Sequence, residues 1–246
     1  MTTVIRLNSA IEGNFSQKKI VTPIGLKPIF SFNANRTLMS SDSSVLPSDY
    51  GELSYATALK EIFTKDPNHK SNMREDFYGR FLELSGRGFS EKNINSPSHH
   101  KQFIAAAIKF RITKPMNSNN SRMLTLRLGP DAKYVYISPN SLGNGVIIHT
   151  NMGSKDFAAI NSNITNEVIT IVVVFAGKDS MCLIDGAFVY KFTLDDNPVD
   201  SNISTINVNS DNITAMPQDV DLFSVDVYSN DKNFTEEDMR LLWRNM

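Results

Sequence analysis

Two consecutive stretches decide the fold: Glu167-Val-Ile-Thr-Ile-Val-Val-Val-Phe175 and Met181-Cys-Leu-Ile-Asp-Gly-Ala-Phe-Val-Tyr-Lys-Phe192. The first is crowded with β-branched residues, which suit a pleated strand better than a helix. The second sets Asp185-Gly186 between two apolar runs. A tight hairpin turn needs central residues that accept positive φ, and Asp-Gly supplies them. A core strand followed by a hairpin is therefore expected here.

The same pattern extends to both sides. Upstream, Arg80-Phe-Leu-Glu-Leu84 alternates and stops at Ser85-Gly86, and Phe103 to Ile112 is an apolar run with Lys109 and Arg111 towards its end. Leu124, Leu126 and Leu128 alternate with Thr125 and Arg127, and Tyr134-Val-Tyr-Ile137 sets two tyrosines against Val135 and Ile137. Side chains two apart in a strand share a face, so Tyr134 and Tyr136 lie together. Ile29-Phe-Ser-Phe32, Val146-Ile-Ile148, Ser204 to Val208 and Leu222 to Tyr228 bring the set to about nine or ten short strands. Strands without helices alternating between them predict an all-β antiparallel sandwich and argue against a parallel α/β sheet.

Two helices interrupt this pattern. Asp49 with Glu52 fits a capping box, Tyr55, Leu59, Ile62 and Phe63 share a helical face, and Pro67 ends the run, which predicts a helical insertion near 49–65. At the other end, Thr235 is a good N-cap. Glu236, Glu237 and Asp238 suit the positive end of a helix, and Met239, Leu242 and Trp243 point to one side, with Trp243 as the docking anchor. Residues 1–25 carry no sustained period and read as an extended arm, with a first edge strand as the alternative; residues 26–246 form the sandwich.

The bulk composition narrows the function classes. The chain has 246 residues, with Lys+Arg 25 against Asp+Glu 26, so no field steers it to nucleic acid or an anionic membrane. Its longest apolar run, Val168 to Ala176, is about half of what a bilayer span requires, so no membrane insertion is expected. Cys182 is the lone cysteine, which excludes an intrachain disulfide and predicts a buried thiol. The opening residues show no basic region followed by an apolar stretch, so synthesis in the cytoplasm is expected.

With these residues in view, the second half resembles a known architecture. Thr170-Ile-Val-Val-Val-Phe175, Cys182-Leu-Ile-Asp-Gly186, Asp221-Leu-Phe-Ser-Val-Asp-Val-Tyr228 and Phe234-Thr-Glu-Glu-Asp-Met239 are similar to the closing strands and helix of concanavalin A-like, laminin-G-like jelly rolls. Gly79-Arg-Phe-Leu-Glu-Leu-Ser-Gly86 resembles an early strand of the same modules. The resemblance implies a concanavalin A-like jelly roll over roughly residues 77–246, with 28–45 as a further stretch of it. It leaves function open, because that superfamily holds lectins, adhesion modules, glycan hydrolases and parts of phage virions.

Catalytic chemistry finds little support in the residues. Glycan hydrolases on this fold carry Glu-x-Asp-x-x-Glu, which places two carboxylates about the scissile bond. Here Glu236-Glu237-Asp238 opens a helix, and Leu241 stands where the last Glu belongs. Asp221 and Asp226 differ by an odd number and are expected on opposite faces of a strand. The histidines are adjacent (His99, His100) or alone (His69, His149), so no metal site is expected, although the Asp- and Asn-rich loops leave calcium open. For sugar binding the candidates are Tyr134, Tyr136 and Arg127: rings to stack on sugar C–H faces, hydroxyls and a guanidinium to donate. The alternative is that these tyrosines pack beneath the helix near 49–65.

The leading expectation is a non-enzymatic structural or binding subunit of a larger assembly, of the decoration, tail or baseplate type in a phage or viral particle. It would be made in the host cytoplasm and located in the virion, with a cytoplasmic protein as the alternative. Its partners would be other subunits, itself among them, and glycans, with no cofactor and no nucleic acid. The second expectation is a carbohydrate-binding adhesion module, and the third a glycan hydrolase with an unfamiliar site.

Overall fold

The computed structural model describes residues 24–26, 28–34, 73–85, 88–91, 94, 103–114, 122–129, 133–139, 145–150, 153–158, 164–177, 179–186, 188–194, 199, 201–209 and 219–246. The helix expected near 49–65 lies outside these residues, as does nearly all of the arm expected over 1–25.

The described chain forms fourteen strands and one helix. The strands are β1 (Phe30–Asn33), β2 (Met73–Asp76), β3 (Gly79–Ser85), β4 (Phe89–Glu91), β5 (Phe103–Ile112), β6 (Leu124–Leu128) and β7 (Lys133–Pro139), followed by β8 (Gly145–Thr150), β9 (Gly153–Ala158), β10 (Val168–Ala176), β11 (Asp179–Ile184), β12 (Phe188–Thr193), β13 (Ile203–Val208) and β14 (Asp219–Asn230). The helix, α1, spans Glu236–Asn245. The all-β antiparallel sandwich expected from the sequence is what the chain forms. One sheet has eight strands in the order β12-β11-β10-β5-β14-β3-β2, with β1 also beside β14; the other has six, in the order β4-β13-β6-β7-β8-β9. Long β14 takes β5 along one edge. Its other edge is shared, with β3 opposite Asp219–Leu222 and β1 opposite Ser224–Val227.

The two sheets enclose the main core. From the larger sheet it receives Ile104, Ala106, Ile108 and Phe110 of β5 with Ile169, Ile171, Val173 and Phe175 of β10; from the smaller, Leu124, Leu126 and Leu128 of β6 with Val135, Ile137 and Ile148. The alternate residues of β5 and β10 are also apolar and buried. Phe103, Ala105, Ala107, Val172 and Val174 form a second cluster with Met239 and Leu242 of α1. This explains the unbroken apolar runs: central strands lie between the opposite sheet on one side and the helix on the other. Ala105 and Ala107 are small where the helix comes down, and Phe103 meets Phe234 just before it, ring centroids 4.7 Å apart.

The turn at Asp185-Gly186 folds β11 onto β12, with both residues at positive φ (48° and 73°). Ile184 pairs with Phe188 across the turn. The Asp185 side chain accepts a hydrogen bond from the Thr170 N–H at 2.7 Å, tying the turn to β10. Gly186 is required twice over: a Cβ there would strain the backbone and would also lie 2.5 Å from the Trp243 ring. Trp243 thus seats α1 against this turn, as expected. Thr235 caps the helix in a full capping box, with Asp238 as the acidic partner.

Candidate functional site

The outer faces of the two sheets differ in chemistry, and the sequence candidates sit on the smaller one. Register places Tyr134 opposite Arg127 and Tyr136 opposite Thr125 on β6, and Tyr136 opposite His149 on β8. The inward positions of these strands belong to the core, so Arg127, Tyr134, Tyr136 and His149 all face outward. Tyr134 and Tyr136 stack with centroids 5.7 Å apart; His149 lies 4.7 Å from Tyr136 and 6.0 Å from Tyr134, with all three rings within 18° of parallel. The Arg122 guanidinium, just before β6, lies over Tyr136 at 4.2 Å and Tyr134 at 5.4 Å.

This arrangement changes what the tyrosines offer. Much of their ring-face area is turned towards one another, His149 and Arg122. Strand side chains stand roughly perpendicular to their sheet, so the hydroxyl ends and ring edges are what the stack presents outward. Tyr134, Tyr136 and His149 are each partly exposed, whereas Thr125, Ser138 and Asn207 on the same face are buried. The accessible stack thus rises from a closed polar floor. Among the described residues the buried Thr125 Oγ1 finds no hydrogen-bond partner. Burial lowers the His149 pKa below its ordinary 6.5, and the Arg122 charge lowers it further. At neutral pH the ring is therefore neutral, with one nitrogen to donate and one to accept.

The larger sheet presents an ionic network beyond the helix. Arg111 donates to Asp221 from Nε at 2.9 Å and Nη2 at 2.6 Å, and to Asp76 from Nη1 at 2.7 Å. Its guanidinium also lies 5.1 Å from the Phe81 ring and 5.7 Å from Phe223. Burial pushes the Asp221 carboxyl up against the pull of Arg111. Burial also opposes ionisation of the more exposed Asp76, but the Arg111 and Tyr78 N–H hydrogen bonds and the Arg111 charge outweigh it and hold that carboxyl below its usual range. Asp76 turns the β2–β3 hairpin by accepting from the Tyr78 N–H at 2.8 Å, and at its tip Phe77 is 97% exposed.

One sequence expectation is corrected here. Asp221 and Asp226 lie on the same face, because the register of β14 against β5 shifts between Leu222 and Ser224. Val220 and Leu222 point into the core before this bulge, and Val225 and Val227 after it, so the odd separation no longer means opposite faces. The two carboxylates still do not pair. Asp221 is held by Arg111, whereas Asp226 accepts from the hydroxyls of Ser31 at 2.5 Å and Tyr228 at 3.4 Å.

Cys182 is buried, and its burial pushes the thiol pKa far up, which leaves it inert as a nucleophile. Among the described residues no group of three or more His, Cys, Asp or Glu could hold a metal ion, and no helix is long and apolar enough to cross a membrane. Glu236, Glu237 and Asp238 occupy the first turn of α1.

Sequence reasoning missed His149 and Arg122 as members of the cluster. The only cue for His149 was a hairpin register between β7 and β8, and Arg122 precedes its strand, where alternation says nothing.

No protein-family model matches the chain, and no curated protein matches it in sequence. Solved structures share its architecture. Domain 4 of an extracellular GH43 arabinanase from Geobacillus stearothermophilus, in complex with arabinotriose, superposes with a TM-score of 0.54 at 10% identity, covering 70% of this chain and 80% of that one. The Trypanosoma rangeli sialidase in complex with a difluoro-KDN ligand gives 0.51 at 13% identity, covering 71% of this chain but only 29% of the sialidase. The chain therefore has a β-sandwich fold that is also found within glycan-processing proteins.

Proposed function

We propose that the protein is a non-catalytic glycan-binding module whose ligand contacts the outer face of the six-stranded sheet. The observation that carries this reading is the cluster of Tyr134, Tyr136, His149 and Arg122, with Arg127 beside it, on one partly exposed patch. Tyrosine hydroxyls, a neutral imidazole and guanidinium groups suit the dense hydroxyl pattern of a saccharide, and the aligned rings hold those groups in place before binding. A binding rather than hydrolytic role is favoured because Asp76 and Asp221, two carboxylates that the larger sheet brings together, are bridged by Arg111. A fold shared with an arabinanase domain crystallised with arabinotriose adds support.

The test is a glycan array probed with the whole chain, followed by Tyr134→Ala and Tyr136→Ala. Specific signals that both substitutions abolish are expected. A blank array would rule the proposal out.

A second reading, a subunit of a multi-subunit assembly such as a phage or viral particle, is favoured by one feature. Phe77 stands 97% exposed at the tip of a hairpin whose β2 is an edge strand, and such a residue suits a partner's pocket. Light scattering on the wild type and Phe77→Ser tests it. An oligomer that the substitution dissociates supports it, and a wild-type monomer at all concentrations counts against self-assembly.

A further inference from the structure

We infer that the Thr125 hydroxyl is a ligand contact on the floor of the six-stranded sheet's outer face, taking a neutral sugar hydroxyl when the neighbouring Tyr136 ring turns aside; this rests on the glycan-binding reading above. Leu124, Leu126 and Leu128 point into the core, so Thr125 points outward. Register sets it between Asn207 of β13 and Tyr136 of β7. It is 1% exposed, and among the described residues its Oγ1 has no hydrogen-bond partner.

A buried hydroxyl without a partner has lost its hydrogen bonds to water and gained none in return. Native chains keep few such groups. Valine has nearly the same shape, lacks the hydroxyl and suits a strand at least as well. Threonine at this position therefore carries a cost in the unliganded chain that a ligand can remove. Ser180 and Ser229 also bury hydroxyls without partners, but by strand parity they share faces with Cys182 and Val227, inside the main core. Thr125 instead shares its face with Tyr134, Tyr136 and His149, where the candidate site lies.

Tyr136 is the neighbour that gives way. It is partly exposed, and a rotation about χ1 swings its ring off the flank of Thr125 that faces β7. Burial decides the chemistry of the group that enters. A threonine hydroxyl both donates and accepts, so a sugar hydroxyl matches it in either direction. A charged group would face a much larger desolvation cost at so closed a place, which favours a neutral partner.

The experiment reads stability and binding together on the whole chain. Thr125→Val removes the hydroxyl at nearly constant shape, and Thr125→Ser keeps it. The probe is an array of neutral and acidic oligosaccharides, and thermal unfolding gives Tm. Thr125→Val is expected to leave Tm unchanged or raised while weakening binding of the array's saccharides by about tenfold, the weight of one hydrogen bond. Thr125→Ser should keep most of the wild-type binding. This split, stability held and affinity lost, is one that a merely structural threonine would not give. A Thr125→Val protein that binds as the wild type does overturns the inference and leaves glycan binding intact. So does a Tm that falls in Thr125→Val but not in Thr125→Ser, because the hydroxyl would then be satisfied already in the free chain; outright unfolding of Thr125→Val counts as such a fall. A blank array with the wild type sinks glycan binding itself, and this contact with it.

Discussion

The two outer faces of the sandwich solve different problems with similar residues. Each carries arginine packed on aromatic rings. On the larger sheet Arg111 lies against Phe81 and Phe223, and two aspartates close its fork. On the smaller sheet Arg122 lies against two tyrosines and His149 is their neighbour. The first arrangement satisfies its own charge and is largely sealed, the Arg111 side chain being 15% exposed. The second leaves polar tips facing outward. An arginine–aromatic stack is thus structural where it is sealed among buried groups and a candidate for recognition where the rings beside it stay partly exposed. Substitutions can separate the two.

The sharpest break is Arg111→Ala. It strands the buried Asp221 carboxylate, so a loss of about 3–5 kcal/mol is expected in urea denaturation, with glycan binding by the folded fraction unchanged. A loss below about 1 kcal/mol would show that the network is dispensable. Next comes Leu242→Ala, which opens a cavity between α1 and the larger sheet; about 2–4 kcal/mol should be lost, again without an effect on the opposite face. Tyr136→Ala should show the reverse profile: a fall of about 1 kcal/mol in stability, because the ring is only partly buried, but loss of ligand binding. If it unfolds the protein instead, the two faces are alike after all.

The smallest effect concerns pH. The His149 pKa is lowered in the folded chain, so the unfolded chain takes up a proton first on acidification. Stability therefore falls as pH drops below the ordinary value of 6.5 towards the folded value, and is fully present above 6.5. An NMR titration should place the His149 midpoint below 6.5, and Arg122→Gln should move it only part of the way back, since burial is the larger cause.

Much of this fold was legible in the sequence because its signals are local. The β-branched run of β10, the Asp185-Gly186 turn and the Thr235 cap each need only near neighbours to be read. Strands β2, β4 and β9 were missed because Met73–Asp76, Phe89–Glu91 and Gly153–Ala158 lie at or next to sheet edges and carry no long apolar alternation. The bulge in β14 was illegible because it is a register event: only the pairing with β5 shows that the phase of the strand slips. The candidate site was half legible for the same reason. Tyr134 and Tyr136 share a strand and could be grouped by parity, whereas His149 and Arg122 join them only through strand pairing and a loop.

The pairing of β1 with β14 bears on how the protein is made. The Ser31–Asp226 hydrogen bond joins positions 195 apart in sequence. At ribosomal speeds of about 5–20 residues per second, β1 waits roughly ten to forty seconds before the strand it needs is synthesised. Central β5 waits for a shorter time, but both of its neighbours, β10 and β14, also come later in the chain. Nascent chains would hold apolar strands unpaired for part of that interval, so slow folding is expected from the topology itself.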